Sequence, residues 1–138
     1  MENEYTILTR FRNKESFDIL RNGLSGKGKS CYNIFDIPAD PKNPTGNIEE
    51  QMEVFDATVN FFDDEHFKMM FEQDLTWLKT AEKVIVLLPA WISVHIEAGI
   101  AYELGKHLIL IGKPEKAESL YLIFQEHYDT IEEFLQTI

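Results

Sequence analysis

Two carboxylates stand where a carboxylate is out of place. Glu97 lies in the stretch EKVIVLLPAWISVHIEAGIAYELGKHLILIG, Glu82 to Gly112, between two apolar runs and beside Ile96, Ala98 and Gly99. Asp74 falls on the apolar stripe of a helical segment, seven residues after Phe67 and three after Phe71, with Met70, Leu75 and Leu78 on the same stripe. A lone carboxylate on such a stripe is costly and needs partners or a cavity. Two carboxylates at one crevice can do acid–base or nucleophilic work at a glycosidic carbon. One attacks or stabilises an oxocarbenium-like centre while the other holds or moves a proton. Each has a plainer reading as well: Glu97 as a surface glutamate favoured by a helix N-terminus, and Asp74 at the edge of its stripe, reaching water.

The elements that must position these groups alternate in type. Tyr5–Thr9, Cys31–Ile37, Val84–Leu88, Leu108–Ile111 and Leu120–Phe124 read as strands. Between them, Asn13 opens a helix with Phe17, Leu20 and Leu24 at helical spacing. A second helix from Asn47 carries Ile48, Met52, Phe55, Val59 and Phe62, and a third runs from Glu65 to Thr80. Ser93 caps a fourth that ends near Leu104, with Gly105 at the C′ position. Thr130 and Glu133 form a capping box for the last. The 138 residues form one domain, 1–138. The pattern predicts a flavodoxin/Rossmann-like α/β three-layer sandwich with a five-stranded, mostly parallel sheet in the order 2-1-3-4-5.

Ligands of such sheets bind outside the carboxyl ends of the strands, where the strand order reverses. That rule gathers Thr9, Arg10 and Phe11 after strand one, Asp36 at the end of strand two, and the segment from Pro89 through Trp91 and Ser93 to Glu97 after strand three. With Ser93 as cap, Glu97 sits four residues on and shares its face. Arg10 can meet an anionic substrate group, and Trp91 can stack on a base. The aromatic residues Phe55, Phe62, Phe67 and Phe71 read as core.

A formal charge of −11 sets the chain against nucleic acids and anionic membranes. One cysteine, Cys31, builds neither a disulfide framework nor a zinc site. HIE at His95–Glu97 is not a metal-ligand spacing, and GKGK at Gly26–Lys29 is not a phosphate loop, so no metal or cofactor is expected. No apolar run approaches the roughly 20 residues of a membrane span. The start MENEYTILTR has no signal-peptide pattern, and a cytoplasmic protein is expected.

LLPAWISVHIEAGIAYELGK resembles the signature of the nucleoside 2-deoxyribosyltransferase family and its relatives, the nucleoside 5′-monophosphate N-glycosidases. The S-x-x-x-E-x-G pattern is matched by Ser93, Glu97 and Gly99, and the closing L-G-K by Leu104, Gly105 and Lys106. Upstream, DLTWLKTAEKVIVLLP is similar to the family's D-L-x-x-[LW] segment, which puts Asp74 on its acidic position. The resemblance covers roughly Phe71 to Gly112. It implies that Glu97 is the nucleophile at C1′ of a (deoxy)nucleoside or its 5′-monophosphate. It further implies that Asp74 assists at the base or orients the nucleophile, that Ser93 faces the sugar 5′ side or a 5′-phosphate, and that the protein is a homo-oligomer. Two other functions stay open: a non-catalytic module that senses a nucleotide ligand, and a related enzyme that cleaves the nicotinamide–ribose bond.

Overall fold

The computed structural model describes residues 3–138. Four strands form one parallel sheet in the order β1-β2-β3-β4: β1 Tyr5–Leu8, β2 Lys83–Leu87, β3 His107–Ile111 and β4 Glu126–Tyr128. Five helices accompany them: α1 Lys14–Gly26, α2 Ile48–Ala57, α3 Glu65–Thr80, α4 Ile92–Glu103 and α5 Ile131–Leu135.

The strands read as continuous apolar runs because both faces of the sheet are covered. On one face Tyr5, Ile7, Ile85, Leu87, Ile109 and Ile111 pack against Phe17, Leu20 and Leu24 of α1 and Phe134 of α5. On the other, Leu8, Val84, Val86, Leu108 and Leu110 pack against Leu78 of α3 and Val94, Ala98 and Ala101 of α4. The period-2 alternation thus divides each central strand between two cores. Among the described residues no helix is long and apolar enough to cross a membrane.

Two expected strands take other forms. Cys31–Ile37 contributes one parallel bridge, Tyr5 with Cys31, and then turns. The Asn33 side chain accepts the N–H of Phe35 at 3.1 Å, which starts a 3₁₀ turn at Ile34–Asp36 in place of a ladder. The sheet is therefore four-stranded, and the bridge marks the edge, beside β1, where a fifth strand was expected. Leu120–Phe124 is also not a strand. Ser119–Ile123 is 3₁₀, and Leu120 and Leu122 point to solvent. The last strand comes two residues later, with the polar sequence Glu126–Tyr128 suited to an edge.

The helix expected from Asn47 to Phe62 stops at Ala57, and a separate 3₁₀ turn covers Phe61–Asp63. Val59 and Phe62 are among the most exposed apolar residues of the chain and are not core. Thr130 accepts the N–H of Glu133 at 3.2 Å, as a capping box requires, while the Glu133 carboxylate accepts from Asp129. Asn13 precedes α1 without a side-chain cap. Its Nδ2 donates instead to Thr9 Oγ1 at 2.9 Å.

Ser93 is not the cap of α4. Trp91 holds that position, and its carbonyl accepts the N–H of Val94 and of His95, so the helix starts at Ile92. Ser93 and Glu97 still lie four residues apart on one face. At the other end Gly105, with φ of 75°, closes a Schellman motif: Lys106 N–H reaches the Ala101 carbonyl and Gly105 N–H the Tyr102 carbonyl, each at 3.0 Å.

Candidate active site

The chain leaves β1 toward the Cys31 edge and returns to β2 on the other side, so the order reverses between β1 and β2. At the carboxyl ends of these two strands lies a cavity of about 420 Å³, a size suited to a small-molecule ligand. Thr9, Arg10 and Phe11 line it from the β1–α1 turn, Asp74 from α3, and Trp91, Ser93 and Glu97 from α4.

Two expected members lie elsewhere. Asp36 sits on the 3₁₀ turn, faces a smaller pocket beside Lys14 and Phe35, and accepts from Asn33 Nδ2 at 3.0 Å. Pro89 lines a different cavity on the far side of the α4 N-terminus. Thr9 is placed in the wall, but its hydroxyl is committed to the scaffold. It donates to the Leu87 carbonyl at 2.8 Å and accepts from Asn13. This ties the end of β1 to the end of β2 beneath the cavity.

The apolar stripe of α3 is a cavity wall. Only Trp77 and Leu78 of that helix are buried, whereas Phe67, Met70, Phe71, Asp74 and Leu75 line the cavity. Asp74 is on the stripe because the stripe faces the cavity and not a packed core. Phe55 of α2 stacks on Phe67 with ring centroids 4.6 Å apart, and Met52 joins them. The aromatic residues expected to be core thus divide: Phe55 and Phe67 form the wall, and Phe62 and Phe71 are mostly exposed.

Arg12 and Asp56, which the sequence reading passed over, also line the cavity. Arg12 Nε donates to Glu49 at 3.0 Å and its terminal nitrogen to Asp56 at 3.4 Å, fastening α2 over the β1–α1 turn. Nothing local in the sequence marks this link, because it joins residues 37 and 44 positions apart.

Neither Asp74 nor Glu97 has a hydrogen-bond or ion-pair partner among the described residues, and both are half-buried. Burial against the apolar wall pushes Asp74 up to about 6. Burial, and then the charge of Asp74, push Glu97 up to about 8. The expected helix-dipole stabilisation of a Glu97 carboxylate does not prevail. Glu97 is the sixth residue of α4, and the dipole acts mainly within the first turn. Of the two, Glu97 holds its proton to the higher pH. Two carboxylates whose surroundings separate their pKa values are suited to divided acid and nucleophile work.

His95 bonds the Trp91 carbonyl through Nδ1 at 2.9 Å and lies 3.1 Å from the Tyr121 hydroxyl through Nε2. Burial pushes the Cys31 thiol up to about 12, so it is no thiolate nucleophile. Among the described residues no group of three or more His, Cys, Asp or Glu side chains gathers to hold a metal ion.

The fold has solved counterparts. A 2-deoxyribosyltransferase from Bacillus psychrosaccharolyticus superposes with a TM-score of 0.63 at 16% identity, over 95% of this chain and 89% of that one. The CMP N-glycosidase BcmB of Clostridium botulinum superposes with a TM-score of 0.58 at 19% identity, over 96% of this chain and 95% of that one. At such identities the likeness establishes a shared fold. No family model and no curated protein sequence matches the chain.

Proposed function

We propose that this protein belongs with the nucleoside 2-deoxyribosyltransferases and their N-glycosidase relatives. It would cleave or transfer the N-glycosidic bond of a (deoxy)nucleoside or nucleoside 5′-monophosphate. One observation carries the reading: Glu97 and Asp74, the two acids at the positions of the resembled motif, line one apolar cavity at the strand switch point, where burial and the charge of Asp74 raise Glu97. The folds of a deoxyribosyltransferase and a CMP N-glycosidase support it.

The reaction needs a nucleophile at C1′ and a proton for the departing base, and a singly protonated pair supplies both. Once the proton has moved from Glu97 to Asp74, the C1′–N bond breaks as a bond from C1′ to the Glu97 carboxylate forms, and the leaving nitrogen takes the proton from Asp74. Water or a second base then attacks C1′ and releases Glu97, and the proton it sheds returns to Asp74. The base lies against the wall of Phe55, Phe67 and Met70, and Ser93 faces the sugar 5′ side. The protonation order in the free protein favours a second assignment, in which Glu97 delivers the proton and Asp74 attacks.

The test is release of free base from a panel of deoxynucleosides, ribonucleosides and their 5′-monophosphates. Wild type releases base from at least one, and Glu97→Gln and Asp74→Asn each lower the rate by about 10²-fold or more. Saturable binding without release, unaffected by Glu97→Gln, supports a sensing module instead and overturns the enzyme reading.

A further inference from the structure

A second cavity of about 980 Å³ lies on the other side of the α4 N-terminus, at the carboxyl ends of β2 and β3. Arg10 is the one residue that lines both cavities. Its Nε is buried and has no hydrogen-bond partner. The other such atom among the described residues, Arg21 Nε, lines neither cavity.

Beside Arg10 the first turn of α4 adds donors. The N–H groups of Val94 and His95 turn back to the Trp91 carbonyl, while those of Ile92 and Ser93 have no partner among the described residues. A guanidinium and a helix N-terminus that both border the two cavities suit a phosphate group.

The far part of the second cavity is aromatic. Tyr121 and Phe124 stack with centroids 6.2 Å apart, and His95 meets the Tyr121 ring edge-on. Lys113 is paired with Asp129 at 3.4 Å, and Glu115 and Glu118 also line this cavity with Lys116. The buried cationic atom without a partner in this cavity is Arg10 Nε, on the side shared with the first cavity. This arrangement fits an anion at Arg10 and a flat, uncharged ring against the aromatic residues.

We infer that the substrate extends past its 5′ carbon. A nucleoside 5′-diphosphate bearing a second ring system would place its reacting nucleoside at Glu97, its diphosphate at Arg10 and the α4 N-terminus, and its second ring against Tyr121 and Phe124. The inference rests on the reading that the first cavity holds a nucleoside, and it names the larger substrate class for that site.

The test is calorimetric binding to the Glu97→Gln protein of two series, one built on adenosine and one on cytidine. Each series runs from the nucleoside through its 5′-monophosphate to the 5′,5′-dinucleoside diphosphate. In at least one series the dinucleoside diphosphate binds about tenfold or more tighter than the monophosphate. Tyr121→Ala abolishes that gain without changing monophosphate affinity, Tyr121→Phe keeps it, and Arg10→Ala removes it together with the gain from the first phosphate. Two series that are flat from monophosphate to dinucleotide overturn the inference, as does a gain that survives Tyr121→Ala. If wild type still releases base while both series are flat, only this inference falls. No binding at any step overturns both readings.

Discussion

Replacing Glu97 by Gln keeps the shape of the side chain and removes its titration, so its effect on stability should depend on pH in a fixed direction. Burial and the Asp74 charge raise the Glu97 pKa from 4.5 to about 8. A raised carboxyl favours the folded state fully below its unfolded pKa. The contribution declines as pH rises, because the unfolded chain has released a proton that the folded chain still holds, and it is gone above the folded pKa. The window therefore runs from about pH 4.5 to about pH 8. At about 1.4 kcal/mol per factor of ten in acidity, the ceiling is about 5 kcal/mol. Glu97 borders an open cavity whose water relaxes around a new charge, so about 2–3 kcal/mol is the expected value. That is a thermal shift of about 5–10 °C for a chain of this length. The assay is thermal unfolding of wild type and Glu97→Gln in parallel from pH 5 to pH 9. The difference between them should move in favour of Glu97→Gln by that amount as pH rises. A difference that stays constant with pH, or moves in favour of wild type at high pH, refutes the burial argument for this residue.

Other outcomes follow from the same geometry. If one shared proton is the active form, kcat/KM for base release is bell-shaped with limbs near 6 and 8, the values of Asp74 and Glu97. Asp74→Asn should shift the alkaline limb to lower pH in any residual activity, because it removes the charge that helps hold Glu97 protonated. Gly112→Ala should lower stability by about 1–3 kcal/mol in a denaturant titration. Gly112 has φ of 111°, and a Cβ there would lie 2.8 Å from that of Leu88. Thr9→Val should cost about 1–3 kcal/mol, since it strands the Leu87 carbonyl and Asn13 at the base of the cavity. The homo-oligomer implied by the motif resemblance predicts a mass above 16.1 kDa by light scattering, and a monomer at all concentrations tested would contradict it.

The central sheet and the odd placement of Asp74 were legible because both rest on periodicity, and Glu97 stood out by its place between two apolar runs. β1, β2 and β3 are apolar runs buried on two faces, and Asp74 interrupts a 3.6-residue stripe that a core helix has no reason to interrupt. The edges were less legible. Cys31–Ile37 and Leu120–Phe124 have strand-like composition, yet an Asn33 side-chain bond diverts one into a 3₁₀ turn and the other leaves Leu122 in solvent. The true edge strand, Glu126–Tyr128, is too polar to announce itself. The same stripe that exposed Asp74 hid the place of its neighbours, since Phe55 and Phe67 on a cavity wall have the spacing of core residues. Arg12 with Glu49 and Asp56 depends on tertiary proximity alone. The protonation of Glu97 was misjudged from its place on a helix, because burial against the α3 wall outweighs a dipole that fades after one turn.

The central claim is that Glu97 forms a bond to the anomeric carbon. Intact-protein and peptide mass spectrometry after incubation with 2′-deoxynucleosides and their 5′-monophosphates tests it most directly. A deoxyribosyl or phosphodeoxyribosyl adduct on the peptide holding Glu97, absent from Glu97→Gln, is the predicted result. An adduct on Asp74 instead, or base release with no adduct in wild type under rapid quench, contradicts it.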